Sequence, residues 1–326
     1  MKAMVYKRYG RPEDVLKLEE VATPVAGDDE VLVRVRAAGV DPSVWHLVTG
    51  LPYLVRIMGY GFSKPKANIP GWDLSGTVEA VGETVTQFKP GDQVFGLSNG
   101  SFAEFVCTHE RNLVHKPDRL TFEQAATVQA SGVTALQSLR DQAGLQSGQS
   151  VLVIGAGGGV GTFTVQIAKA LGAQVTGVCS TGKLDLVRSI GADHVIDYTR
   201  DDFTASGQRY DVIIVTAGNR PLRQLRRALT PKGTLVIVGG EEGGRVTGGV
   251  LRSIGGMVLS MFIGQRIRMQ MPKGVGDDLN ELKRLIESGR VTPVLDRTFP
   301  FHEAIDAIRY LREGRAKGKI ALTFST

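Results

Sequence analysis

The residues whose chemistry is easiest to read are Gly155-Ala156-Gly157-Gly158-Gly159-Val160-Gly161, which follow the apolar run Val151-Leu152-Val153-Ile154 and open a helical stretch. A buried strand passing through a glycine turn into a helix is the setting a dinucleotide fingerprint requires. The register that fits is Ala156-x-Gly158-x-x-Gly161, with Ala156 where the first glycine usually stands. Gly158 has no side chain to obstruct a pyrophosphate, and Gly161 lets the helix approach the sheet. Gly159 and Val160 begin a helix whose free N–H groups attract phosphate. Taken alone, the same glycines also suit a tight strand-to-helix turn without a ligand, but the five strands around them favour the nucleotide.

An NAD-specific site places Asp or Glu about 20 residues beyond the motif, to hold the ribose 2′-hydroxyl. Here that place reads Val178-Cys179-Ser180-Thr181-Gly182-Lys183. Hydroxyls and a lysine suit the 2′-phosphate of NADPH, and no carboxylate in the run repels it. The competing reading makes Lys183 an ordinary solvated helix residue.

The elements that must position these residues follow from hydrophobic rhythm. Residues 1 to about 123 give short β-like runs between Gly, Pro and Asp, among them the alternating Glu30 to Arg36 and the run Gly76 to Gly82. After Leu120 the text becomes strand, turn and helix in repetition, the mark of a doubly wound parallel sheet. Its strands are Ser150 to Ile154, Gln174 to Cys179, His194 to Asp197, Tyr210 to Val215 and Thr234 to Val238, with helical text at Val160 to Leu171 and Pro221 to Leu229. Beyond Gly264 come amphipathic helices near Asp277 to Glu287 and His302 to Arg312, then a strand at Lys319 to Phe324.

At 326 residues, 42% hydrophobic and 22% charged, the chain has the composition of a globular protein and the length of two domains. The formal charge of +6 is spread along the sequence, and no nucleic-acid reading module is present, so no nucleic-acid partner is expected. Cys107 and Cys179 are the only cysteines, too few for a disulfide framework, and read as inert core thiols in a reducing compartment. Met1 to Lys7 looks like a first strand without an apolar signal core, and no run of about 18 uncharged apolar residues follows, so a cytoplasmic location is expected.

These residues carry a family resemblance. Ala37-Ala38-Gly39-Val40-Asp41-Pro42, Gly71-Trp72-Asp73-Leu74-Ser75-Gly76, Phe88 to Gly96, the glycine turn and Gly191 to Tyr198 together resemble the zinc-free quinone-reductase branch of the medium-chain dehydrogenase/reductase superfamily, over nearly the whole chain. The resemblance implies a split, mostly β, GroES-like catalytic domain at residues 1–122 and 265–326. It implies an α/β Rossmann domain at 123–264, a cleft at their junction, and a homodimer. It also implies that Ser180, Lys183 and Tyr198 surround the 2′-phosphate, and that Thr134, Ala217, Gly218, Gly239 and Gly240 lie along the cofactor. Zinc-dependent relatives carry Cys and His where this chain has Asp41 and Trp72, so no metal is expected. The branch usually has Asn where Asp41 stands and commonly Asp where Val44 stands, which points to a differently shaped pocket.

Without a Lewis acid, conjugated acceptors become the natural substrates: a small quinone or enone, whose reduction needs a hydride, hydrogen bonds and a proton. Related enoyl reductases place a Tyr two residues beyond the Gly equivalent to Gly50. Here Pro52 holds that place and Tyr53 follows, with Tyr60 a second candidate donor. Both lie in the insertion Leu51 to Ile69, which reads either as a lid over a flat substrate or as a loop packed on the domain. The apolar stretch Gly248 to Gly264 is too interrupted to span a bilayer. It reads as a dimer edge or a pocket wall, and a membrane-surface contact is the least favoured of the three. Two rival functions stand beside this one: an acyl-thioester enoyl reductase, and a non-catalytic NADPH-binding sensor or structural protein.

Overall fold

The computed structural model describes residues 1–239, 244, 246–270 and 276–325, and the side chains of 58 and 59 are left aside. The chain divides into two units, one of residues 1–130, 274–287 and 293–326, the other of 131–273 and 288–292.

The first unit is built on the strand Glu30–Val40. Val31, Val33 and Val35 point into its core while Arg34 is exposed, the alternation expected of a half-buried strand. Beyond a register shift between Val35 and Ala37 the strand is buried throughout. It pairs antiparallel with Asp73–Val81, Phe105–His109 and Lys319–Thr323, within a seven-stranded sheet. At Gly39 a Cβ would lie 2.4 Å from the Ala126 carbonyl oxygen and 2.8 Å from Asp73 Cβ, so only glycine lets the neighbouring segments close on the strand here.

The second unit holds six parallel strands, Ser150–Ile154, Gln174–Cys179, His194–Asp197, Tyr210–Val215, Leu229–Ile237 and Arg266–Met269. Counted along the chain, their order in the sheet is 3-2-1-4-5-6. The chain reverses direction across the sheet between the first and fourth strands, which are neighbours, and a crevice forms outside their carboxyl ends. The sequence reading closes this domain at Gly264, and the structure moves that boundary. Arg266–Met269 pairs with the fifth strand, so the sheet claims residues assigned by sequence to the split domain. The Rossmann-type unit begins, by the same division, at Ser131 and not at residue 123.

Candidate active site

The turn after the first parallel strand is fixed by three close approaches. Gly155 adopts φ +86°, and a Cβ there would sit 2.6 Å from Thr216 Oγ1. Ala156 is fully buried, and both its N–H and that of Gly155 donate to the Val178 carbonyl at 3.0 Å. At Gly161 a Cβ would meet the Gly155 carbonyl oxygen at 2.1 Å, so this glycine brings the helix Gly159–Ala170 down onto the turn. Gly158 differs: it caps that helix with extended backbone, and the only atom near its absent Cβ is the Gly155 oxygen at 3.4 Å. Open space therefore faces the first N–H groups of the helix, which lack intrahelical acceptors. The turn fits a pyrophosphate, with Gly158, Gly159 and Val160 as the residues that would hold it.

The other predicted cofactor residues collect at the same carboxyl edge of the sheet. Ser180 follows the second strand, Tyr198 the third, Ala217 and Gly218 the fourth, and Gly239 the fifth. Thr134 lies on the helix Gln129–Gln137, and Gly240 lies outside the described residues. Lys183 reaches back over the turn, since a Cβ on Gly157 would touch its Cδ at 2.7 Å.

Sequence reading passes over Asp197, the last residue of the third strand. Thr181 Oγ1 donates to its Oδ2 at 2.5 Å, and Thr199 donates to its Oδ1 through Oγ1 at 2.7 Å and through N at 3.0 Å. These bonds, the one from Thr181 foremost, hold its carboxyl below the usual range. The carboxylate is thus occupied in tying down the turn Thr181–Lys183. Its signal, an Asp closing a strand two residues before a Thr, becomes readable only once the second and third strands are known to be neighbours. Burial pushes the thiols of Cys107 and Cys179 up to about 11, as inert core thiols require.

In the first unit a cavity of about 330 Å³ is bounded by Tyr6, Leu47, Tyr60, Ile69 and Trp72, with Lys66 and Asn99 as its polar wall. The Tyr60 ring meets Trp72 edge-on at 6.3 Å. Tyr53 is not part of that wall: its ring lies against the Arg56 guanidinium at 4.9 Å, and Arg56 also covers Tyr9 at 4.3 Å. Tyr9 donates its hydroxyl to the carbonyls of Tyr60 and Gly61 at 2.9 and 2.7 Å, so the insertion is tied to the body of its unit.

Beneath this cavity wall the same unit buries charge. Asp73, next to Trp72, is fully buried beside Lys319 at 3.5 Å and accepts from the Ala130 N–H at 2.9 Å. Burial, with the Asp41 carboxylate nearby, pushes the Asp73 carboxyl up to about 7 against the pull of Lys319. Asp41 caps the helix Pro42–Thr49, accepting from Ser43 N at 2.8 Å and Ser43 Oγ at 2.5 Å. Lys319→Met should cost about 3 to 5 kcal/mol at about pH 8, because it strands a buried carboxylate. At about pH 5 the cost should shrink, since the raised carboxyl is then protonated in the folded state and needs no partner. Urea unfolding at both pH values measures this, and an equal cost at each would mean the lysine acts by packing alone.

A parallel sheet in this strand order, with a glycine turn open at its switch point, defines a Rossmann dinucleotide-binding domain. Residues 27–118 match the alcohol dehydrogenase GroES-like domain, and residues 190–322, which take in the last four strands of the parallel sheet, match a family described as zinc-binding dehydrogenase. The chain is 33% identical to 2-methylene-furan-3-one reductase of Solanum lycopersicum and 34% identical to the chloroplastic NADPH-dependent alkenal/one oxidoreductase of Arabidopsis thaliana. Each alignment covers 99% of this chain and 79% of the relative. The solved quinone oxidoreductase of Coxiella burnetii superposes with a TM-score of 0.85 at 26% identity, over 99% of both chains. The protein belongs to the medium-chain dehydrogenase/reductase superfamily, in its quinone-oxidoreductase-like branch, and is an oxidoreductase of that family.

The places where the family resemblance expects zinc ligands hold a helix-capping carboxylate, Asp41, and an indole, Trp72, which cannot ligate a metal. Among the described residues no three His, Cys, Asp or Glu side chains gather as a metal site.

Proposed function

We propose that the protein is a cytoplasmic, zinc-independent reductase that uses NADPH to reduce a small conjugated carbonyl compound, a quinone or an enone. The observation that carries this reading is the open glycine turn with Lys183 laid across it. Bound NADPH would supply a hydride to the conjugated acceptor. The helix start at Gly158 to Val160 holds the pyrophosphate, Lys183 with Ser180 and Tyr198 holds the 2′-phosphate, and Thr134, Ala217, Gly218 and Gly239 line the remaining cofactor path. The Asp41 and Trp72 positions leave polarisation of the carbonyl to hydrogen bonds. We assign the proton that follows to Tyr60, because it lines the aromatic cavity and Tyr53 does not. The relatives' names, an alkenal/one oxidoreductase and a furanone reductase among them, agree with this substrate class. A homodimer accords with the family resemblance, and light scattering tests it.

The test of this function is consumption of NADPH with a panel of quinones and enones, with and without a chelator. Turnover indifferent to the chelator is the expected result, while binding without turnover would make the protein a sensor. For the cofactor preference, Lys183→Ala should remove a charge-assisted contact worth about 1.5 to 3 kcal/mol, or roughly 10- to 150-fold in NADPH affinity. NADH affinity should hardly move. A wild type that binds both cofactors equally would refute the assignment of the 180–183 turn.

A further inference from the structure

We infer that the conjugated substrate carries an acidic group and that Lys64 and Lys66 receive it; the inference rests on the reading of the protein as a reductase of conjugated carbonyl compounds. The aromatic cavity has a charged neighbour. A second cavity, of about 560 Å³, is lined by Lys7, Lys64, Pro65, Lys66 and Asn68, and Lys66 stands in the wall of both. The inner cavity offers Tyr60, Trp72, Leu47 and Ile69 to a flat apolar body. The outer one offers three ammonium groups and an amide, and no carboxylate lines it. A ligand that fills both is apolar at one end and anionic at the other.

The protein itself does not use up this charge. The insertion Leu51 to Ile69 contains Arg56, Lys64 and Lys66 and no Asp or Glu. Arg56 is engaged within its own loop, stacked on Tyr9 and Tyr53 while its Nε donates to the Gly50 carbonyl at 3.0 Å. Lys7 Nζ pairs with Glu19 at 2.9 Å. Among the described residues neither Lys64 nor Lys66 has a carboxylate at ion-pair distance, and both are exposed. Their backbone is nevertheless held in place. The Lys66 N–H donates to the Tyr60 carbonyl at 3.0 Å, and the Asn68 carbonyl accepts from the Tyr6 N–H at 2.8 Å. Gly61, at φ +112°, closes the turn, since a Cβ there would overlap the Lys64 carbonyl oxygen. Both lysine stems thus start from fixed points on the turn that carries Tyr60, which lowers the ordering cost of binding. An anion held by them directs the conjugated end of the same molecule toward the aromatic wall. An ammonium group on a flexible stem serves a carboxylate or a phosphate alike.

Steady-state NADPH oxidation by the full chain with two matched substrate pairs tests this. One pair is an enone ending in a carboxylate and its methyl ester; the other is the crotonyl thioester of phosphopantetheine and that of pantetheine, which differ by the phosphate alone. The wild type should prefer the charged member of at least one pair by about 3- to 20-fold in kcat/KM, the span of two exposed charge pairs, with the difference in KM. Added salt should shrink that preference. The pair that shows it tells a carboxylate from a phosphate. Lys64→Gln with Lys66→Gln should bring the ratio of charged to neutral substrate to about one, Lys64→Glu should lower it further, and Lys64→Arg should keep it. Because the readout is a ratio within each variant, a general loss of activity does not imitate the effect. Reduction of charged and neutral members at equal efficiency overturns this inference alone, as does a preference that survives in the double variant. Reduction of none of the four substrates, nor of any neutral quinone or enone, overturns the reading of function beneath it, and the inference with it.

Discussion

Replacing Gly158 by valine should abolish NADPH binding and leave the protein folded. The backbone at Gly158, φ −97° and ψ 178°, is open to any residue, and a Cβ there meets only one oxygen at 3.4 Å, so the substitution costs the fold little. The branched side chain would fill the space in front of the helix N-terminus. Denying the pyrophosphate two charge-assisted bonds, at about 1.5 to 3 kcal/mol each, weakens binding by about 10²- to 10⁴-fold. Gly161→Val is the informative contrast, because its Cβ falls 2.1 Å from a carbonyl oxygen and should unfold the unit instead. Fluorescence titration with NADPH beside urea unfolding separates the two cases. Undiminished affinity in a folded Gly158→Val protein would show that the loop is only a turn.

The second large effect concerns the proton. If Tyr60 delivers it, Tyr60→Phe should lower enone turnover by about 10²- to 10⁴-fold, the span of general acid catalysis. Quinone turnover should fall far less, because a hydroquinone anion takes its proton from water. Tyr53→Phe should cost little with either substrate, since its ring packs on Arg56 outside the aromatic cavity. Steady-state rates for both substrates in both variants are the measurement. Equal small losses across all four would remove both tyrosines from the chemistry, and a selective enone loss in Tyr53→Phe alone would move the role to Tyr53.

Where hydrophobic pattern and local turn chemistry decide the structure, the sequence was readable. The inner parallel strands are short β-branched runs buried on both faces, and the glycine turn needs no distant partner to be recognised. Arg266–Met269 was not readable as a sheet strand because an edge strand buries one residue, Ile267, and its neighbours are arginines. Asp197 could not be assigned before its strand was seen beside Ser180 and Thr181. The Asp73–Lys319 pair joins residues that sequence alone has no means to bring together. Tyr53 stands first and Tyr60 second in the sequence, and only the cavity that Tyr60 lines, with Arg56 packed against Tyr53, gives a reason to reverse the order.

The pairing of Lys319–Thr323 with Ala37–Val40 has a consequence for how the molecule is made. Ile320 and Leu322 fill the core of the first unit, so that core stays incomplete until the ribosome has delivered them. All six strands of the parallel sheet emerge earlier, within one continuous stretch. The later-assembled unit closes a far longer loop of chain, a slow step during which the Ala37–Val40 end of its central strand lacks a partner along one side. During synthesis the dinucleotide fold should therefore acquire protease resistance first. Nascent chains stalled before residue 319 should be the form that chaperones hold.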